Sequence, residues 1–242
     1  MTPHKINTKL KAWIFDADNV LMPTSEFTKM ARDAAMNALQ LEGLKVEKAI
    51  ILEKLNKIVS EKGSNYHEHY NVLLDEFGVD KRKQSMLIAK AVIAQHHAKL
   101  LLQPYSDVPR TLLELRERGY SLYVATEGLP VKQWEKLYLT GLSIMFDKVF
   151  ITEELSFKEK NATFFKAVLS EIPEKPEECV MVGDRVNKDL LPAKGNGIHT
   201  IRVLTGKYRN EYRDRKGKDY DYEIENFREV IDIIPLIEEK MK

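Results

Sequence analysis

From Pro104 onward, short apolar runs alternate with stretches of helical periodicity. Val108 to Arg118 reads as helix and stops at Gly119, Ser121-Leu122-Tyr123-Val124-Ala125-Thr126 as strand, Val131 to Leu139 as helix and Lys148-Val149-Phe150-Ile151 as strand. Helix 162–170, strand 179–182, helix 187–194, strand 198–204 and a last helix near 225–240 continue the rhythm. Strands separated by helices pair in parallel through right-handed crossovers, which predicts an α/β fold built on a doubly wound parallel sheet. The charged stretch Tyr208 to Asp221 reads as a solvated connection.

One more strand precedes this rhythm. Trp13-Ile14-Phe15 runs straight into Asp16-Ala17-Asp18, an apolar segment ending in two carboxylates. A run apolar throughout suits a strand buried on both faces. Carboxylates at its carboxyl end then fall where open α/β sheets place their sites, although Asp-x-Asp alone also caps helices and starts turns. Between this strand and Pro104 the pattern is helical only. Phe27, Met30, Ala31, Ala34, Ala35 and Ala38 precede a stop at Gly43; Val46 to Val59 forms a second helix; Tyr66 to Phe77 follows the break at Gly63-Ser64-Asn65; Asp80 opens another. The division predicted is a catalytic core of residues 1–23 with 101–242, and an all-helical insert of residues 24–100 rising from the sheet's catalytic edge as a lid.

Charge and cysteine usage narrow the function. Lys and Arg number 38 against 37 Asp and Glu, so no basic surface argues for nucleic acid or an anionic membrane. No apolar run reaches the ~18 residues of a membrane span, and Met1 to Asn7 lacks the apolar core of a signal peptide. A cytoplasmic protein is expected, as monomer or homodimer. The single cysteine, Cys179, excludes an internal disulfide and reads as a small apolar residue of a buried strand.

The later strand ends carry chemistry too. Thr126-Glu127-Gly128 offers a hydroxyl and turn amides to a phosphate oxygen. The loop after 148–151 contains Lys158 and Lys160, either of which could neutralise a carboxylate and its phosphoryl group; Asn161 as helix N-cap favours Lys160 slightly. Gly183-Asp184, with Asp189 five residues beyond Asp184, suits a hard divalent cation, or else an N-cap and a surface charge. A doubly wound sheet gathers all four strand ends into one crevice.

Taken together, these residues resemble the haloacid dehalogenase superfamily, whose motifs are matched by Asp16-Ala17-Asp18-Asn19-Val20, Thr126, the lysine at 158 or 160, and Gly183-Asp184 with Asp189. Gly128 to Lys136 and Val182 to Arg185 are similar to archaeal small-metabolite phosphatases of its subfamily I. Val20 stands where Thr is usual, and the usual Lys-Pro of the third motif is absent, which leaves the lysine's register open. The resemblance implies a Rossmann-like core, a helical C1 cap and a Mg²⁺-dependent phosphatase acting on a small phosphorylated metabolite, with triose phosphate as leading candidate. It implies Asp16 as nucleophile and Asp18 as general acid and base. Mg²⁺ would be held by the Asp16 carboxylate, the Asp18 backbone carbonyl and Asp184, with Asp189 orienting that shell. Thr126 and the lysine would complete the catalytic set, and Glu127, Gly128 and Lys158 would contact substrate. A phosphomutase or dehalogenase on the same scaffold, or a phosphate-binding module without turnover, are the alternatives. Asp18 with Asp184 favours the phosphatase, because a halide leaves without protonation. Within the cap, Asn65, Tyr66 and His67 are the candidate specificity residues, and His67 with His69 are too few for a zinc site.

Overall fold

The computed structural model describes residues 8–211 and 213–241, so the reading of Met1 to Asn7 lies outside the described residues. Six parallel strands form one sheet: β1 (Ala12–Phe15), β2 (Ser121–Thr126), β3 (Lys148–Ile151), β4 (Cys179–Gly183), β5 (His199–Val203) and β6 (Tyr222–Ile224). Their order is β3-β2-β1-β4-β5-β6. The chain therefore works outward from β1 on one side, then returns to build the other, and the switch point lies at β1. In register, Phe15 stands opposite Val124 of β2 and Val182 of β4, so the residues just beyond these three share the carboxyl edge.

β1 is buried on both faces because both are covered by apolar elements. Ala12 and Ile14 join Tyr123, Ala125, Phe150 and Met181 in a core completed by α7 (Ala162–Ser170) and α8 (Leu191–Lys194). The alternate residues belong to an aromatic layer: Trp13 packs on Phe15 and Tyr120, and Phe15 lies 5.4 Å from Phe227. Period-2 alternation thus splits the strand between two layers.

The helical insert consists of α1 (Thr24–Leu41), α2 (Lys48–Lys62), α3 (His69–Glu76) and α4 (Lys81–Lys99). It has its own apolar core of Ala35, Met36, Leu39, Ile51, Leu55, Leu73, Leu74, Leu87 and Ala91. Asp80 caps α4 by accepting from the Arg82 amide at 2.9 Å. Two compact units result: residues up to 25 together with those from 103, and residues 26–102, with both boundaries two positions later than the sequence rhythm places them.

The core helices α5 (Val108–Glu117), α6 (Pro130–Leu139) and α9 (Val230–Lys240) complete the layers. Four local expectations need correction. α3 begins at His69, not Tyr66, because the chain turns at Gly63 (φ 85°) and stays irregular through Glu68. The predicted helix over 187–194 is a π-helical turn, Val186–Leu190, leading into α8. The last helix starts at Val230, after a single 3-10 turn at Phe227–Glu229 capped by Asn226. The charged stretch ends in structure: Asp219 and Tyr220 are buried, and β6 follows at once. Cys179 is buried in β4 as expected, and burial pushes its thiol up to about 12.

Candidate active site

Where β1 ends, the ladder continues for one residue, with the Asp16 amide donating to Val182 O at 2.9 Å. This leaves the Asp16 carboxylate buried at the switch point. The chain then turns sharply through Asn19, which sits in the left-handed region (φ 61°) and is buried. Its side chain does two things: Nδ2 donates to Asp184 Oδ2 at 3.2 Å, and Oδ1 accepts from the Ser25 amide at 2.9 Å. Gly206 lies against Asn19 so closely that a Cβ there would meet Asn19 Cγ at 2.8 Å.

Of the two candidate lysines, Lys158 is exposed and Lys160 is fully buried. Lys160 Nζ lies 2.7 Å from Asp16 Oδ1 and 2.5 Å from Asp189 Oδ1, and donates to Ala125 O at 3.3 Å. Burial opposes the ammonium charge, but the two carboxylates outweigh it and raise the Lys160 pKa. Asn161 holds the register by accepting from the Phe164 amide at 2.9 Å as N-cap of α7.

Asp189 is buried and is not the surface charge that one reading of the sequence allowed. The π-helical turn brings it back so that its Oδ2 accepts from the Arg185 amide at 2.9 Å. Gly183 makes this possible, since a Cβ there would stand 2.4 Å from Asp189 Cβ. Asp16, Asp184 and Asp189 each present an oxygen within 4.8 Å of the others. Burial, and then the neighbouring carboxylates, push the pKa values of Asp16 and Asp184 up; Lys160 acts against this at Asp16. Asp184 Oδ1 is buried without a hydrogen-bond partner among the described residues. A buried, like-charged, all-oxygen set with an orphaned lone pair fits a hard divalent cation.

Asp18 is placed differently. Its side chain is 32% exposed, and Oδ1 accepts both from Thr24 Oγ1 at 2.8 Å and from Lys136 Nζ on α6. Burial would raise its pKa, but Lys136 and Thr24 hold it below the usual carboxylate range. Its carboxylate is not one of the cluster of three.

The β2 end departs from expectation in one respect. Thr126 is buried and its hydroxyl donates to Gln133 Oε1 at 3.2 Å, while Gln133 Nε2 donates to Glu127 O at 2.8 Å. The Gly128 amide, expected to serve a phosphate, instead donates to Thr152 Oγ1 at 3.1 Å, because the turn at φ 126° folds it onto the β3 end. The Glu127 carboxylate accepts from the Lys160 amide at 3.2 Å and faces Arg185 at 3.8 Å. Asn65, Tyr66 and His67 belong to the helical unit. There the Tyr66 hydroxyl donates to Glu68 at 3.0 Å, and its ring packs against His67 and His69.

Sequence reasoning missed Lys136, Thr24 and the side chain of Asn19 as members of the site. The available signal was spacing: Gln133 and Lys136 lie three residues apart on α6 and so share a face.

Residues 10–197 match the haloacid dehalogenase-like hydrolase family. The chain is 39% identical over 227 residues to the glyceraldehyde 3-phosphate phosphatase of Methanocaldococcus jannaschii, covering 93% of this chain and 97% of that protein. It is 38% identical over 229 residues to the protein of the same name from Methanopyrus kandleri, with the same coverage. Among solved structures, a haloacid dehalogenase-like family hydrolase from Xanthomonas campestris shares the fold at a TM-score of 0.69 and 16% identity, over 97% of this chain and 98% of that one. A HAD phosphatase from Thermococcus onnurineus superposes at 0.64 with 25% identity, over 93% and 98%.

Proposed function

The chain belongs to the haloacid dehalogenase-like hydrolase family, and from that premise we propose that it is a Mg²⁺-dependent phosphatase that hydrolyses small phosphate monoesters through an aspartyl-phosphate, with a triose phosphate as substrate. The observation that carries the reading is Lys160 Nζ seated between Asp16 and Asp189, whose carboxylates cluster with that of Asp184. The substrate rests on the names of the relatives.

In this mechanism an Asp16 oxygen attacks phosphorus, the new P–O bond forming as the bond to the leaving alcohol breaks. Lys160 holds Asp16 in place and offsets its charge against the incoming phosphate dianion. The phosphate dianion bound beside Asp18 raises its proton affinity, so that Asp18 takes up a proton and gives it to the alkoxide, then as carboxylate takes one from the water that attacks the aspartyl-phosphate, releasing phosphate and restoring Asp16. Asp16, Asp184 and the Asp18 backbone carbonyl would hold Mg²⁺, with Asp189 orienting them through Lys160 and the Arg185 amide. When bound, the ion supplies positive charge that lowers the repulsion between nucleophile and phosphate. Residues 26–102 serve as the cap, and the Asn65-Tyr66-His67 segment selects the substrate's non-reacting part.

A panel of phosphorylated metabolites assayed with Mg²⁺ and with chelator tests the reading. Triose phosphate is expected among the best substrates, and chelator is expected to abolish phosphate release. Asp16→Asn is expected to remove turnover while leaving the fold intact, because an amide supplies no attacking carboxylate. Full activity in protein shown by elemental analysis to be metal-free would overturn the mechanism.

A further inference from the structure

We propose that Lys136 is a positioning residue for Asp18, fixing which carboxylate oxygen exchanges a proton with the leaving alcohol. The inference rests on the phosphatase reading above and concerns a residue outside the four motif positions. Lys136 lies on α6, ten residues beyond the β2 end, and its side chain is only 16% exposed. Asp18 is its one carboxylate partner among the described residues. A lysine on an open surface would keep its rotamer freedom and gain little from such a pair; this one is sheltered and committed to a single acceptor.

The second observation is where the two donors converge. Both Lys136 Nζ and Thr24 Oγ1 reach Asp18 Oδ1. Two donors on the same oxygen, arriving from α6 and from the start of α1, set the carboxylate plane and leave Oδ2 as the oxygen open to a leaving group. Asp18 immediately precedes the sharp turn at Asn19 and is partly solvated, so without these contacts its side chain could populate other rotamers. A general acid must lie within hydrogen-bond reach of the oxygen it protonates, and small misplacements of such a group are costly. Lys136 therefore contributes by holding Asp18, without touching the phosphoryl group.

The test separates proton transfer from the rest of the reaction by varying the leaving group. Wild type, Lys136→Met and Lys136→Arg are assayed with Mg²⁺ on glycerol phosphate, whose alkoxide needs a proton, and on 4-nitrophenyl phosphate, whose phenolate leaves without one. For Lys136→Met, turnover of the alkyl ester is expected to fall by about 10²- to 10³-fold. The first turnover of the aryl ester is expected to stay within about threefold, appearing as a burst of one nitrophenolate per site followed by slow hydrolysis of the aspartyl-phosphate. KM for the alkyl ester should change little. Lys136→Arg, which keeps a donor to Oδ1, is expected to recover most of the loss. Should Lys136→Met fail to fold by circular dichroism, Lys136→Gln carries the same comparison. Equal losses on both esters, or no loss on the alkyl ester, would overturn the proposal. No phosphate release by wild type on any ester would instead overturn the phosphatase reading, and this inference with it.

Discussion

At the scale of single residues, the site trades stability for readiness to bind a cation. Asp16, Asp184 and Asp189 are buried and packed together, with one lysine among them. Removing one of these charges should relieve the folded protein even as it removes function. Asp184→Asn is expected to raise Tm in chelator by several degrees, at about 2–4 °C per kcal/mol for a chain of this size. Wild type, but not this variant, is expected to gain further on adding Mg²⁺. Scanning calorimetry with and without the ion checks both halves, and a lower Tm for the variant in chelator would contradict the first. A second residue governs behaviour in acid. Burial lowers the pKa of His199, outweighing Asp221 and the Glu177 backbone, and its Nε2 has no hydrogen-bond partner among the described residues. The unfolded chain takes up a proton below about pH 6.5 where the folded one resists, so this contribution to stability is lost as pH falls through that range. Urea midpoints at pH 7 and pH 5 should therefore diverge less in His199→Gln than in wild type. This scale also shows where reading from sequence stops. Lys158 and Lys160 are two apart in an extended loop, so period alone aims both the same way; only the path of the chain into Asn161 buries one and exposes the other. The contact of Lys136 with Asp18 depends on how α6 is rotated above β1, which no local pattern records.

Among the elements, the π-helical turn after β4 is the least replaceable, because it returns Asp189 to the strand end that it left. Gly183→Ala would place a methyl group 2.4 Å from Asp189 Cβ and 2.8 Å from its Oδ2. Something must move. The expected cost is about 1–3 kcal/mol of overpacking, and turnover should fall more than the stability loss explains, since Asp189 would be displaced from Lys160. A denaturation curve paired with kcat distinguishes the two effects, and a variant with wild-type stability and rate would show that the turn adapts. The long strands and amphipathic helices were legible because apolar period and caps agree along them, as with α7, where Asn161 and the two phenylalanines mark both start and buried face. β6 was not: three residues, preceded by a charged stretch, carry too little alternation to register. Nor does periodicity over five residues separate a π turn from an α-helix.

For the molecule as a whole, two compact units with separate apolar cores imply separable responses to damage. Leu73→Ala in the helical unit is expected to cost about 2–5 kcal/mol locally. Faster amide exchange should be confined to residues 26–102, with protection in β1 and β4 retained; loss of protection throughout would show that the units unfold as one. Sheet topology adds a consequence in time. β1 ends at Phe15, yet its neighbours begin at Ser121 and Cys179. At about 5–20 residues per second on the ribosome, the nascent chain waits on the order of ten seconds before both flanks of β1 have been translated. During that interval the helical unit, which has an apolar core of its own, is complete enough to fold, while Trp13, Ile14 and Phe15 have no sheet to enter. Asp16 is synthesised well before the two strands that come to house it. Its apolar strand is accordingly the segment that a chaperone, or an aggregating neighbour, would meet first.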